Sequence, residues 1–530
     1  MKRFFGTTMC VLTLCAFPLH AQQPPAPNAP LELPEFLVTG KELIDVGAGV
    51  KHTPRRPPML SAGRLDTLNP AEKIPAPTLP YSPLPQYSRS TKRWPGYVDA
   101  SVGNYITPAL AAGYSFVVDG YRLDLAGDVA ASQGWVDNAG YVTGGAQILS
   151  TYVAPEKFIF FGGSTTQADV AFRSRSYTLF ADSLAPSRSH TAMRAGIAVD
   201  GEYDGTHYTA SASWQHQNMN TENGRAVADD VLRGTVRVEQ QWPGADVGAK
   251  IDVNMQTFAG NGYPFVETGA YGGWVSDVAR ISAGLGVQWA TSTENVDRFG
   301  VSLYGRADVF LGGNLTLLGS VQSGMRTVTF RDLVMANPYV SDSIVLDAPY
   351  DIADVRATLS FHPSVRTTIN VTAGLRQSDR EPVWKGAGSG IFHVTYQSVR
   401  VAEIGADARF ALSALDLIGA DVRLISATVI DNADQPYVPG MRASAEYERV
   451  FTPQLRSTVG LVYNGRRYAD LANTMSLPGY ADVRLKVAYS VSASVDLIAK
   501  AENLLSSTVY VWEGYRERGL FVNIACLWRF

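Results

Sequence analysis

From about residue 96 to the end of the chain, apolar and polar residues alternate with a period of two. That is the spacing at which successive side chains of a β-strand point to opposite faces. YRLDLAGDVA sets Leu123, Leu125, Gly127 and Val129 against Arg122, Asp124 and Asp128. VLRGTVRVEQ opposes Leu232, Val236 and Val238 to Arg233, Arg237 and Glu239, and VSLYGRADVF opposes Val301, Leu303, Ala307 and Val309 to Arg306 and Asp308. In VAEIGADARF, Ile404, Ala406, Ala408 and Phe410 face away from Glu403, Asp407 and Arg409. ADVRLKVAY and VDLIAKAEN carry Asp482, Arg484, Lys486, Asp496, Lys500 and Glu502 on their polar faces. The last segment, FVNIACLWRF, places Val522, Ile524, Cys526, Trp528 and Phe530 on one face. No helical period and no internal repeat stands out.

Soluble sandwiches also alternate, but three features favour a membrane barrel. Many segments run to about 10–15 residues, longer than the usual five or six. The polar faces carry both charge signs, as a wet lumen requires. The apolar faces mix Ala and Gly with Val and Leu, which lipid tolerates and a close-packed core resists.

Tight turns are expected near Asp119-Gly120, Pro155-Glu156, Asp204-Gly205, Pro243-Gly244, Ser276-Asp277, Gly312-Gly313, His362-Pro363, Ala414-Leu415, Thr452-Pro453 and Ser492-Ala493. Longer connections fall between them, around Arg173–Ser189, Ala336–Pro349, Asp431–Gly440 and Asp470–Gly479. Short turns alternating with long loops is the outer-membrane pattern. Ten turns give 2 × 10 + 2 = 22 antiparallel strands, with 18–20 as the alternative where a weak turn such as Ser276-Asp277 fails. The expected fold is therefore all-β, a transmembrane barrel over residues 96–530.

The N-terminal part reads differently. Lys2 and Arg3, the apolar run Met9–Leu19 and Ala21 match a signal peptide over 1–21. Residues 22–95 hold roughly half of the 29 prolines and read as an extended arm unable to join a sheet interior. Within it, Phe36, Leu37, Val38, Thr39 and Gly40 form a short strand-like island that is a candidate partner-binding leader. Removal of the signal peptide leaves Cys526 as the one cysteine, so no internal disulfide and no cysteine metal site is expected. A net charge of -4 offers no nucleic-acid footprint.

Candidate chemistry is sparse. His207, Thr209, Ser211 and Ser213 share a strand face, with His216 beyond, but no acidic group sits at a recognisable spacing to complete a catalytic set. No hydrolase, phosphate-loop or dinucleotide motif appears, so an enzyme is not expected and no cofactor is implied. Asp342, Asp347, Asp351, Asp431 and Asp434 read as solvated loop charges, not a calcium loop. Tyr105, Trp135, Trp274 and Trp289 read as girdle aromatics at the membrane boundary. The charges of the polar faces are the candidate lumen residues, able to set what passes or docks inside.

The end of the chain resembles TonB-dependent outer-membrane receptors. The resemblance rests on Pro478-Gly479-Tyr480 entering one strand, Asn503-Leu504-Leu505 ending the next, Gly514-Tyr515 with Gly519 in a loop, and an aromatic at Phe530. FLVTGKE, at Phe36–Glu42, also resembles the phrase opening that family's N-terminal region. The resemblance implies a 22-strand barrel in a Gram-negative-type outer membrane, both termini periplasmic, surrounded by lipid. It also implies that the last strand is read by the barrel-assembly machinery. The family's plug domain has no counterpart here, since only about 55 proline-rich residues separate Gly40 from the first strand. The expectation is a pore or transport channel whose wide lumen is blocked by the arm or by a separate plug or periplasmic partner protein. The alternative is a plug-less structural or assembly component without transport of its own.

Overall fold

The computed structural model describes residues 94–158, 161–222, 224–429 and 433–530. The signal-like stretch, residues 22–93 of the arm with Phe36–Gly40, and Asp431 lie outside them.

Alternation produces strands in unbroken succession: β1 (Gly96–Gly103), β2 (Ala109–Val118), β3 (Tyr121–Ser132), β4 (Tyr141–Val153), β5 (Thr165–Thr178), β6 (Ser187–Tyr203) and β7 (Thr206–Thr221). There follow β8 (Val227–Trp242), β9 (Ala245–Phe258), β10 (Asn261–Val275), β11 (Ala279–Thr291), β12 (Asp297–Gly312) and β13 (Leu315–Met325). A short helix, α1 (Phe330–Ala336), precedes β14 (Tyr350–Ser364), β15 (Thr367–Gly386), β16 (Phe392–Ala411), β17 (Asp416–Val429), β18 (Met441–Val450) and β19 (Leu455–Asn464). The last barrel strands are β22 (Tyr480–Ser490), β23 (Val495–Glu502) and β26 (Phe521–Arg529). Small loop ladders, β20 (Arg467–Tyr468) with β21 (Ser476–Leu477) and β24 (Tyr510–Trp512) with β25 (Tyr515–Arg516), lie between them.

Twenty-two strands form one antiparallel sheet, closed by β1 against β26 from Tyr97↔Arg529 to Gly103↔Asn523. Closure leaves no edge unpaired, the condition for a sheet that crosses hydrocarbon. Phe530 fastens the seam. Its backbone exchanges hydrogen bonds with Gly96 at 3.0 Å in both directions, and a Cβ at Gly96 would lie 2.6 Å from its ring.

One end of the barrel carries ten connections, nine of them two to four residues long, while the turn expected at Pro155-Glu156 lies in an eleven-residue connection, 154–164. Asp119-Gly120 and Asp204-Gly205 both have positive φ throughout, as a two-residue hairpin turn requires. One turn moves from its expected place: His362 and Pro363 belong to β14, where His362 bonds Ser360 and Thr368, and the turn is Val365-Arg366. At the other end, β5 and β6 run on to Thr178 and from Ser187, so only 179–186 of the loop expected at Arg173–Ser189 is free of strand.

The register fixes the two faces. Leu232, Ile251, Leu285, Val301, Leu303 and Ile524 are 50–63% exposed on the outer face. A surface so apolar is one that lipid solvates and water does not. Buried side chains gather instead inside the loop end, in one large cluster and two small ones, while a further small cluster lies towards the turn end on the inner face of β22, β23 and β26.

Candidate functional site: a strap and an aromatic cluster at the loop end

The 24-residue connection 326–349 does not project from the barrel. It crosses the inner wall as a strap. Its neck is pinched shut: Arg326 N–H donates to Pro349 O at 2.9 Å, while Gln288 accepts from Met325 N–H at 2.6 Å and donates to Met325 O at 3.0 Å. Beyond the neck, Thr329 caps α1 in a reciprocal arrangement with Asp332. Apolar positions at i, i+3 and i+4 (Phe330, Leu333 and Val334) then face the wall. They bury against Met219, Val227, Phe258, Tyr263 and Phe265, inward residues of β7–β10. Each large side chain buried this way contributes about 1.5–3 kcal/mol.

The far end of the strap is held by a buried arginine. Arg188, 1% exposed on β6, donates to Pro338 O at 3.1 Å, to Val340 O at 2.8 Å and to Thr221 Oγ1 at 3.0 Å. Tyr177 Oη donates to the same Pro338 oxygen at 2.5 Å. The return limb is fixed by a bidentate Arg298–Asp347 pair at 2.6 and 2.7 Å, by Tyr396 Oη donating to Val345 O at 3.0 Å, and by Arg380 donating to Ala348 O at 3.2 Å. Asp347 and Asp351, expected as solvated charges, are 7% and 5% exposed. Asp351 accepts from Ser378 and pairs with Arg326, because both carboxylates anchor the strap.

Above the strap the other loops meet in an aromatic cap. Phe392, Trp512 and Tyr515 are buried together, with Phe180, Tyr339, Trp384 and Tyr437 packed on them. Tyr339 and Tyr515 stack at 9°, Tyr437 and Trp512 lie 4.6 Å apart, and Tyr515 Oη donates to Gly390 O at 2.7 Å. Burial raises the phenol pKa of Tyr339, Tyr437 and Tyr515 and pushes the Glu517 carboxyl above its ordinary range, against the pull of Arg518 and Arg175. Two aromatics read as girdle residues belong here. Tyr105 donates to Leu520 O at 3.2 Å, and Trp135 donates to Arg516 O at 2.7 Å with its edge on Phe180. Trp274 is 50% exposed on the outer face.

Along the rest of the inner wall, charges neutralise one another locally. Arg122 pairs with Asp124 at 2.8 Å, Asp128 with Arg173 at 2.9 Å, Arg306 with Asp308 at 3.0 Å and Glu403 with Arg423 at 3.0 Å. Asp482 pairs with Arg484 at 2.6 Å, Asp496 with Arg529 at 2.8 Å, and Glu502 with Arg518. Asp407 accepts from Asn370, Glu239 from Tyr271, and Arg237 lies over the Tyr271 ring. Arg233 has a buried Nε without a partner. Lys486 and Lys500 stand directly opposite one another, and with Arg409 their side chains make no pair among the described residues.

A tetrapeptide, Ala-Asp-Val-Arg, recurs at Ala353–Arg356, Ala420–Arg423 and Ala481–Arg484. Each copy places an Asp and an Arg two residues apart on the inner face and pairs them, at 3.1, 3.3 and 2.6 Å. The repeat is short enough to escape a search for longer periods. Of the histidines weighed for catalysis, His207 lies 3.3 Å from Asp200, and His216 bonds Asp230 at 2.9 Å on the outer face. Neither is bonded to a serine or threonine hydroxyl among the described residues. No group of three or more His, Cys, Asp or Glu side chains among those residues is placed to hold a metal ion.

No family model matches the chain, and no curated protein matches it. Solved structures do. The copper transporter OprC superposes with a TM-score of 0.65 at 12% identity, over 83% of this chain and 80% of that one. The ferric-catecholate import receptor Fiu of E. coli K12, in its closed form, gives 0.64 at 10% identity over 83% and 82%. The FrpB iron transporter of Neisseria meningitidis, F5-1 variant, gives 0.68 at 8% identity over 83% and 82%. At such identities the likeness is one of fold, and it is the 22-strand barrel of the TonB-dependent receptors that the closing segments resemble.

Proposed function

We propose that the chain is an outer-membrane barrel of the transport type, in which passage is controlled at the loop end by its own strap and cap. The observation that carries this reading is the strap itself. A connection pinned at neck, helix and tip across the inner wall has the properties of a closure. The apolar outer band supports residence in lipid, and the fold is shared with proteins named as transporters and import receptors. The solute is not carried over from them.

The test uses the pinched neck. Because Arg326 and Pro349 are hydrogen-bonded neighbours, replacing 327–348 by a short Gly-Ser link preserves the flanking strands. Single-channel conductance in planar bilayers is expected to rise severalfold. Unchanged conductance in a correctly folded barrel would remove the strap from any closing role. A silent barrel that co-purifies with a stable partner would favour the structural or assembly reading.

The closing strand serves assembly in the same reading, with Val522, Ile524, Cys526, Trp528 and Phe530 presenting an alternating apolar face. Deleting Phe530 is expected to lower heat-modifiable barrel in outer-membrane fractions. Wild-type amounts would refute a signal role.

A further inference from the structure

In the turn-end half of the barrel, the outward positions of the described strands carry no charge, with one exception. Asp416, the first residue of β17, and Arg449, next to last in β18, stand opposite one another on the outer face. The parity of β17 leaves no doubt of the side: Val422 and Leu424 are exposed to lipid, whereas Asp421 and Arg423 pair inside. A charge on the lipid face is destabilising at the midplane and tolerated only near the membrane–water boundary. The pair lies at that boundary. Phe451 follows Arg449 on the same face, and Trp274 and Tyr489 sit next to last in β10 and β22, all three about half exposed. Outward aromatics of this kind mark the headgroup level.

The two side chains are held in place without being used up. Asp416 Oδ1 accepts from Tyr447 Oη at 2.7 Å and from Arg449 Nη1 at 3.2 Å, while Oδ2 accepts from Ser413 Oγ at 2.7 Å. Arg449 donates through Nη1 alone, also to Tyr447 Oη at 3.3 Å, and its guanidinium lies 5.4 Å from the centre of the Phe451 ring. Its side chain is 48% exposed, and Nε and Nη2 have no acceptor among the described residues. That edge is an open fork, the geometry that takes two oxygens of one phosphate. Asp416 Oδ2, with a single donor, keeps the capacity to accept one more.

We propose that Asp416 and Arg449 form a site for the headgroup of one zwitterionic phospholipid, of the phosphoethanolamine kind, in the leaflet at the turn end. The Arg449 fork takes the phosphate and Asp416 takes the ammonium. The dyad is neutral overall, so a headgroup that is itself neutral, with both charges close together, complements both ends of it. An anionic headgroup would find a partner for its phosphate and none of the right sign beside Asp416. On the midplane side of the pair, Val422, Val459 and Leu461 are exposed on the same face and offer apolar surface to the acyl chains. The inference requires only that the barrel sits in lipid, not that anything passes through it.

The test is native mass spectrometry of the purified full-length barrel in detergent, with phosphatidylethanolamine, phosphatidylglycerol or inorganic phosphate added. The wild type is expected to hold one phosphatidylethanolamine through collisional activation that strips phosphatidylglycerol, and to hold no phosphate. Arg449→Gln, checked for unchanged heat-modifiable mobility, is expected to retain severalfold less phosphatidylethanolamine. Arg306→Gln, inside the lumen, leaves retention unchanged. Asp416→Asn leaves the cation without its carboxylate and is expected to reverse the preference, towards phosphatidylglycerol. Equal retention by Arg449→Gln overturns the proposal, as does a wild-type preference for phosphatidylglycerol or an unchanged preference in Asp416→Asn. Inorganic phosphate held as firmly as the lipid would also overturn it, in favour of a plain anion site.

Discussion

The inner residues of β8 divide into two environments within one strand. At the loop end Val227, Asp229 and Val231 are 1–2% exposed under the strap. Towards the turn end Arg237 stands open to the lumen, held only against the Tyr271 ring. Both stretches alternate in the same way and pair with the same neighbours. What separates them is a connection some hundred residues further along the chain. Inward-facing position alone therefore does not define a lumen residue in this barrel. Coverage by the strap decides whether such a residue behaves as protein core or as wet wall.

That contrast is most severely tested at Arg188. Arg188→Met removes the donor from two strap carbonyls in a dry site, at a cost of about 1–3 kcal/mol for each buried acceptor left unmade. The expected outcome is a barrel with unchanged heat-modifiable mobility and a strap newly open to trypsin at Arg326 and Arg331. Equal resistance in variant and wild type would mean that the strap is held without its tip.

A smaller effect is expected at Glu517 in the cap. Its carboxyl is raised by burial, so between the ordinary Glu value near 4.3 and the raised folded value the folded cap binds more protons than the opened one. Cap stability accordingly falls as pH rises through that window. Hydrogen exchange of residues 503–520 is expected to quicken with pH beyond its intrinsic dependence, and Glu517→Gln to remove the excess. The same excess in the variant would locate the effect elsewhere. Least is expected from the wet wall. Arg306→Gln breaks a dyad whose arginine side chain is 62% exposed, worth at most about 1 kcal/mol. A larger shift in the denaturant midpoint would show that the dyads hold the barrel together.

The barrel was legible in the sequence because its signals are local. Period-two alternation names the faces, and turns such as Asp119-Gly120 and Asp204-Gly205 announce themselves in two residues. The strap was not legible, for physical reasons. Its helix is seven residues long, too short for a period to emerge, and the one available sign was Thr329 with Asp332 three places on. Its anchorage joins Arg188 to Pro338 and Val340, and nothing near either end of that contact foretells it. Asp347 and Asp351 failed as solvated charges for the same reason, their arginines being supplied by distant strands. The candidate partner-binding leader at Phe36–Gly40 lies outside the described residues.

The Ala-Asp-Val-Arg dyads have a consequence for anything that enters the wet part of the lumen. Opposite charges set two residues apart present to the lumen a lattice of small dipoles whose fields largely cancel within a Debye length, about 8 Å at physiological ionic strength. A wall of that kind holds water firmly and offers a drifting solute no monopole to settle on. It resembles the zwitterionic coatings that keep surfaces from fouling, a lining on which dissolved molecules find no place to stick.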